Sequence, residues 1–188
     1  MKLILASASP RRKELMELAG LDFEVFVNAV DETLVDGLSP KKQVARLAMK
    51  KALVVGAIKK GHTIIGADTI VVFGNEILGK PKDEEDAFLT LKRLSGKVHE
   101  VMTAVAIINK EKNISIDFVN ITKVSFYEME NSWLRTYVQS KEPLDKAGSY
   151  GIQGLGFELV EKIEGDYYSV MGLPIAQLKR MLKDLGCI

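Results

Sequence analysis

The run Thr63–Phe73, TIIGADTIVVF, constrains the fold more than any other stretch. It is apolar and rich in β-branched residues, which argues for a buried strand. One carboxylate, Asp68, sits in its middle. A charge inside such a run is costly unless a cation or hydrogen-bond donors hold it. Carboxylates of this kind gather at functional sites, and structural ion pairs produce them too. Gly66 marks either a bulge or the close approach of another backbone. Gly74-Asn75 supplies a tight turn, and Glu76–Leu78 returns antiparallel. Gly79-Lys80-Pro81 then holds Lys80 in an extended conformation, so the hairpin is expected to bring Lys80 toward the region of Asp68.

The N-terminal segment, KLILASASPRRKELMELAG, reads as strand, loop and helix. Leu3, Ile4 and Leu5 form a short buried strand. Ser7, Ser9 and Pro10 open a helix, with Ser at the N-cap and Pro at the first helical position. Leu15, Leu18 and Ala19 are expected on its inward face, and Gly20 suits its exit. Arg11 and Arg12 fall in the first turn, where the helix dipole disfavours cations. A bound polyanion relieves that conflict, since helix N-termini are phosphate sites; two solvent-facing arginines are the alternative.

Phe23–Val27 reads as a second strand ending near Asp31 and Glu32, which spacing alone assigns to a solvated loop rather than a metal site. Ser39-Pro40 starts a helix running to about Lys59. Its stripe is Val44, Leu47, Ala48, position 51 and Val55. Position 51 is Lys51, which must snorkel outward or meet an anion, whereas Lys41, Lys42 and Lys50 read as plain solvent charges. Asp83 and Asp86 open a helix ending at Leu94. Strands are expected over Val98–Ile108 and Ile114–Phe126, and His99 reads as structural. Asn131-Ser132 caps a helix carrying Trp133, Leu134, Tyr137 and Val138. Glu142–Gly156 holds four glycines that would let backbone N–H groups approach a ligand. Phe157–Ile163 and Tyr167–Val170 read as strands, and Pro174–Leu185 as a closing helix.

Composition excludes several classes. With 47% hydrophobic and 27% charged residues, 188 residues suit one soluble domain, or two small lobes sharing a core. A net charge of +1 argues against nucleic-acid binding. The single Cys187 excludes an internal disulfide and fits a reducing, cytosolic setting. No stretch reads as a signal peptide or membrane span. No GxxxxGK[ST] loop is present, and no Cys-His or Ser-His-Asp arrangement argues for covalent catalysis. Helices alternate with strands, then a more antiparallel section follows, so the fold class is α/β with a mixed sheet. Cations at a helix start, constrained lysines and the carboxylates Glu32 and Asp68 suit a polyphosphate ligand bridged by Mg²⁺.

Six blocks carry a family resemblance: SASPRRKELMELAG, the DE pair ending in Glu32, RLAMKKA, GADTIVV with the following GKP, LSGKVHEVMTAVAI, and EPLDKAGSYGIQGLG. In that order, from Leu3 to beyond Leu173, they resemble the Maf family of nucleoside triphosphate pyrophosphatases. The resemblance implies an inosine-triphosphate-pyrophosphatase-like α/β fold with two lobes flanking a substrate cleft. It implies a single domain over 1–188 and frequent assembly as a homodimer. It also implies hydrolysis of a nucleotide between the α and β phosphates, giving monophosphate and pyrophosphate, with a divalent cation, Mg²⁺ or Mn²⁺. Asp68 matches the family's proton acceptor and is a second candidate metal ligand beside Glu32, the metal-associated carboxylate. Ser7, Arg12, Lys51 and Lys80 match phosphate-handling positions. Arg11, Thr69 and Gln153 match the subgroup that acts on dTTP and UTP. The family's link with inhibition of septum formation implies an alternative, a nucleotide-binding regulator acting through partners.

Overall fold

The computed structural model describes residues 2–188. Among them seven strands form a mixed sheet in the order β2-β1-β3-β5-β6-β7, with β4 paired to β3. They are β1 (Leu3–Leu5), β2 (Phe23–Val25), β3 (Thr63–Phe73), β4 (Glu76–Leu78), β5 (Val98–Asn109), β6 (Ile114–Phe126) and β7 (Val160–Glu164). The helices are α1 (Pro10–Leu18), α2 (Pro40–Ile58), α3 (Glu84–Leu94), α4 (Asn131–Gln139), α5 (Tyr167–Met171) and α6 (Ile175–Asp184). The chain divides into two compact units, and β3, β5 and β6 each contribute to both. The first unit is 1–68, 103–120 and 172–188; the second is 69–102 and 121–171.

In the first unit β1 lies parallel to both neighbours, with Leu3 opposite Phe23 on one side and Thr63 on the other. Parallel strands are covered on both faces and read as continuous apolar runs. Accordingly Ile4, Leu5, Ile64 and Ile65 are all buried, each contributing roughly 1.5–3 kcal/mol. Helix α2 presents Val44, Leu47, Ala48 and Val55 inward, as its stripe predicts. Gly66 supplies the close approach: a Cβ there would stand 2.3 Å from the Ala48 carbonyl oxygen and 2.8 Å from Ala52 N. The α1 exit is a Schellman turn, with Gly20 N on Glu17 O at 2.9 Å and Leu21 N on Met16 O at 3.1 Å. The inward face of α1 differs from expectation. Arg12, Leu15 and Met16 are buried, whereas Leu18 is 70% exposed, because the buried set follows i, i+3, i+4 from Arg12. Strand β2 stops at Val25, two residues short of the expected Val27, which is exposed.

In the second unit α3 opens as expected, with Asp86 N donating to Asp83 Oδ1 at 2.8 Å. Its core contains Phe88, Leu91, Leu94, Phe126, Leu134, Tyr137 and Tyr150. His99 is buried, its Nε2 2.8 Å from Tyr150 Oη. Its ring meets Phe126 and Tyr150 edge-on. It is structural, as read. Helix α4 begins at Asn131 itself, with Glu130 at the N-cap position.

Two expected strands are corrected. Residues 154–159 form a 3-10 turn, and only Val160–Glu164 pairs, antiparallel, with β6. Tyr167–Met171 is a short helix rather than a strand. There Asp166 Oδ1 accepts from Tyr168 N at 2.8 Å and Ser169 N at 3.3 Å, an Asp helix-start signal masked by the apolar run behind it.

Candidate active site

Helix α1 begins at a pair of serines with different tasks. Ser9 occupies the N-cap, yet its hydroxyl makes no cap bond. Ser7 Oγ does the local work, accepting from Ser9 N at 3.3 Å and from Arg12 Nη1 at 2.9 Å. Arg12 also donates through Nε to Gly172 O at 2.8 Å and through Nη1 to Ala67 O at 3.0 Å. The guanidinium is therefore buried and pinned, not solvent-facing. Burial pushes its pKa down, and the nearby Asp68 carboxylate partly offsets this, while Arg11 adds to the cost. Arg11 is half-buried on the same turn.

Lys51 meets anions rather than snorkelling. Its Nζ lies 2.6 Å from Asp68 Oδ1 and 2.7 Å from Glu32 Oε1. Its side chain is 15% exposed and that of Asp68 12%, while Glu32 is 60% exposed. Gly66, two residues before Asp68 on β3, is where α2 comes close, at Ala48 and Ala52 on either side of Lys51.

Glu32 comes from a loop without regular structure, and α2 holds that loop in place. Gln43 Nε2 donates to Val35 O, Arg46 Nη2 to Thr33 O, each at 2.5 Å, and Lys50 Nζ to Asp31 O at 2.7 Å. Positions 43, 46 and 50 share one helix face, so three side chains hold three loop carbonyls. Lys50 is thus no plain solvent charge, nor is the loop merely solvated. The Thr33 hydroxyl and N–H, with Lys50, hold the Asp31 carboxyl down to about 2. Sequence reasoning missed Gln43, Arg46 and Lys50; their helical spacing was the available signal, but their acceptors are backbone oxygens that carry none.

Ser7, Arg12, Glu32, Lys51 and Asp68 are all in the first unit. Thr69, Lys80 and Gln153 belong to the second. Thr69 follows Asp68 on β3 and so points to the opposite face of that strand. Lys80 is exposed after β4 and in no ion pair among the described residues; Gln153 is exposed at the start of the 3-10 turn. The glycine-rich segment departs from expectation, because the N–H groups of Gly148, Gly151, Leu155 and Gly156 bond within the unit.

Two carboxylates converging on one cation are a hard-oxygen set suited to Mg²⁺ or Mn²⁺, which keep water and phosphate among their ligands. Among the described residues no three His, Cys, Asp or Glu side chains converge. Glu32 and Asp68 are the two carboxylates that share the Lys51 ammonium.

Comparison with known proteins places these features in context. A family model described as "Maf-like protein" matches residues 2–185. A dTTP/UTP pyrophosphatase of Bacillus cereus (strain G9842) is 55% identical over 182 residues, covering 97% of this chain and 94% of the relative. One of Bacillus anthracis (strain CDC 684 / NRRL 3495) is 53% identical over 185 residues, covering 98% and 96%. The structure of the Staphylococcus aureus Ham1 protein superposes with a TM-score of 0.51 at 14% identity, over 85% of this chain and 80% of that one. That likeness is one of fold, and it supports the mixed-sheet α/β architecture expected from the sequence.

Proposed function

The chain belongs to the Maf family, and from there we propose that it is a nucleoside triphosphate pyrophosphatase acting on dTTP and UTP. The observation that carries the reading is the Glu32–Lys51–Asp68 cluster, an ammonium held between two carboxylates at 2.7 and 2.6 Å. A binding module needs cations for phosphate; it has no need of a carboxylate of this kind beside them.

Ser7 has accepted two hydrogen bonds, and its own O–H is the donor left for a phosphate oxygen. Arg12, fixed by three bonds to the protein, supplies a preorganised positive charge that needs no rearrangement during reaction. Lys51 turns from the carboxylates to the incoming triphosphate, and the family resemblance makes Lys80 a further phosphate-handling position. Glu32 and Asp68 would hold Mg²⁺ or Mn²⁺, which supplies charge neutralisation on the phosphates. Asp68, released from Lys51, takes a proton from water as its oxygen bonds to the α-phosphorus. The bond from that phosphorus to the α-β bridging oxygen breaks, and pyrophosphate leaves with the electron pair. By the same resemblance, Arg11, Thr69 and Gln153 are the positions that read the pyrimidine.

No helix of the described residues is long and apolar enough to cross a membrane. From a nucleotide substrate and a lone free cysteine we infer a cytoplasmic enzyme, and the family resemblance implies a homodimer.

Pyrophosphate release from a nucleotide panel, with and without Mg²⁺, tests the reading. Release from dTTP and UTP is expected, and Asp68→Asn should lower it by about 10²–10⁴-fold while nucleotide binding persists. Tight binding of dTTP without release would instead establish a nucleotide-sensing regulator.

A further inference from the structure

The glycine-rich segment of the second unit surrounds an anion that the chain itself provides. Glu142 turns its carboxylate into the segment: Oε1 accepts from Tyr137 Oη at 2.9 Å and from Gly156 N at 3.2 Å, and Oε2 accepts from Leu155 N at 2.9 Å. Tyr137 Oη in turn accepts from Gly151 N at 3.1 Å. Successive backbone N–H groups make an anion-binding concavity, and here an internal carboxylate fills it.

The glycines follow from that wrapping. A Cβ on Gly154 would stand 2.4 Å from Glu142 Oε2, and Gly154 has φ +65°. On Gly156 it would meet Gly151 O at 2.0 Å and Tyr137 Oη at 2.6 Å. These positions are glycine because the backbone closes around Glu142 and Tyr137. Burial raises the pKa of Tyr137 far above the ordinary phenol range, so the hydroxyl keeps the proton it donates.

Gln153 lies between the two anchors. Gly151 N, two residues before it, is tied to Tyr137, and Leu155 N, two residues after it, is tied to Glu142. Its exposed side chain is aimed by a backbone fixed on both flanks. Resting on the reading above, in which Gln153 reads the pyrimidine, the geometry points to Glu142 as a positioning residue for substrate specificity, acting through Gln153 with Tyr137 as its relay. Sub-ångström placement of a recognition group is worth large factors in rate or affinity. Glu142 touches no substrate; it sets where Gln153 stands.

A double-mutant cycle over Glu142→Ala and Gln153→Ala tests this, read on dTTP, UTP and a purine triphosphate. Glu142→Ala should raise KM for dTTP and UTP by about 10–100-fold with kcat within about threefold, the range that charge-assisted hydrogen bonds imply. Purine turnover should stay within about threefold, so that selectivity collapses, and the double variant should be no more than about twofold worse than the weaker single variant. Additive losses, an unchanged KM, or an equal loss of kcat on every nucleotide would overturn the proposal. Trp133, the sole tryptophan, stacks on Tyr137 at 5.4 Å, so its fluorescence should report the loosened anchor while circular dichroism stays native. Where Glu142→Ala fails to fold, the cycle is run with Glu142→Gln, which keeps an acceptor for Tyr137. If the wild-type protein releases no pyrophosphate from either pyrimidine, the reading of its activity fails. The cycle is then read on the Kd for dTTP by calorimetry, where absence of coupling, or of dTTP binding, still overturns the role of Glu142.

Discussion

Lys51 bridges two carboxylates with one ammonium, and its removal leaves Glu32 and Asp68 without their shared cation. Breaking a largely buried pair strands a charge, so Lys51→Met should cost about 2–4 kcal/mol in urea unfolding without metal. Mg²⁺ should then raise the Tm of the variant more than that of the wild type, because the ion occupies the place of the ammonium; equal Tm shifts would remove Lys51 from the site. His99 argues the opposite balance. Burial alone lowers its pKa to about 4, so between pH 6.5 and 4 the unfolded chain takes up a proton that the folded chain refuses. Stability from this group is therefore complete above pH 6.5 and falls as pH drops toward 4, by about 3 kcal/mol in all. His99→Gln, which can still bond Tyr150, should flatten the pH dependence of urea unfolding over that window. An unchanged slope would mean that other groups govern it.

Helix α2 and strand β3 form the element pair on which the first-unit cluster depends. At Gly66 the obstacle to a side chain is backbone, Ala48 O at 2.3 Å, and backbone cannot rotate away. Gly66→Ala should destabilise the protein by about 3 kcal/mol, and by pushing α2 outward it should lower kcat more than it raises KM. A variant as stable and active as wild type would show that the helix has room to shift. The sequence allowed a bulge or a close approach at Gly66, and helical periodicity alone could not choose, because the partner backbone is a feature of packing. The loop at 31–35 was harder still. Its anchors are carbonyl oxygens received by Gln43, Arg46 and Lys50, and every residue type has a carbonyl. The strand expected over Tyr167–Val170 failed for the reverse reason: the composition suited β structure, and the Asp166 cap decided for a helix.

For the molecule as a whole, the proposed mechanism gives a divalent ion two carboxylates, already shared with Lys51, and leaves its other positions to phosphate. Metal and nucleotide should therefore bind cooperatively, each strengthening the other by the same factor. Mg²⁺ alone should shift the wild-type Tm by less than about 1 °C, and Mg²⁺ with a non-hydrolysable dTTP analogue by several degrees; a large shift with Mg²⁺ alone would mean a complete protein-built site. Sequence by itself determined the mixed α/β class, most strand and helix positions, and the anomaly of Lys51 and Asp68 in apolar stretches, because periodicity and the cost of buried charge are local and act on each residue in turn. Only the tertiary structure decided that these two charges answer each other, that Arg12 is spent inward on Gly172 and Ala67, and that the glycines of the second unit enclose Glu142. Those outcomes depend on which backbone arrives from distant parts of the chain, and no local pattern encodes a meeting between residues separated by 160 positions.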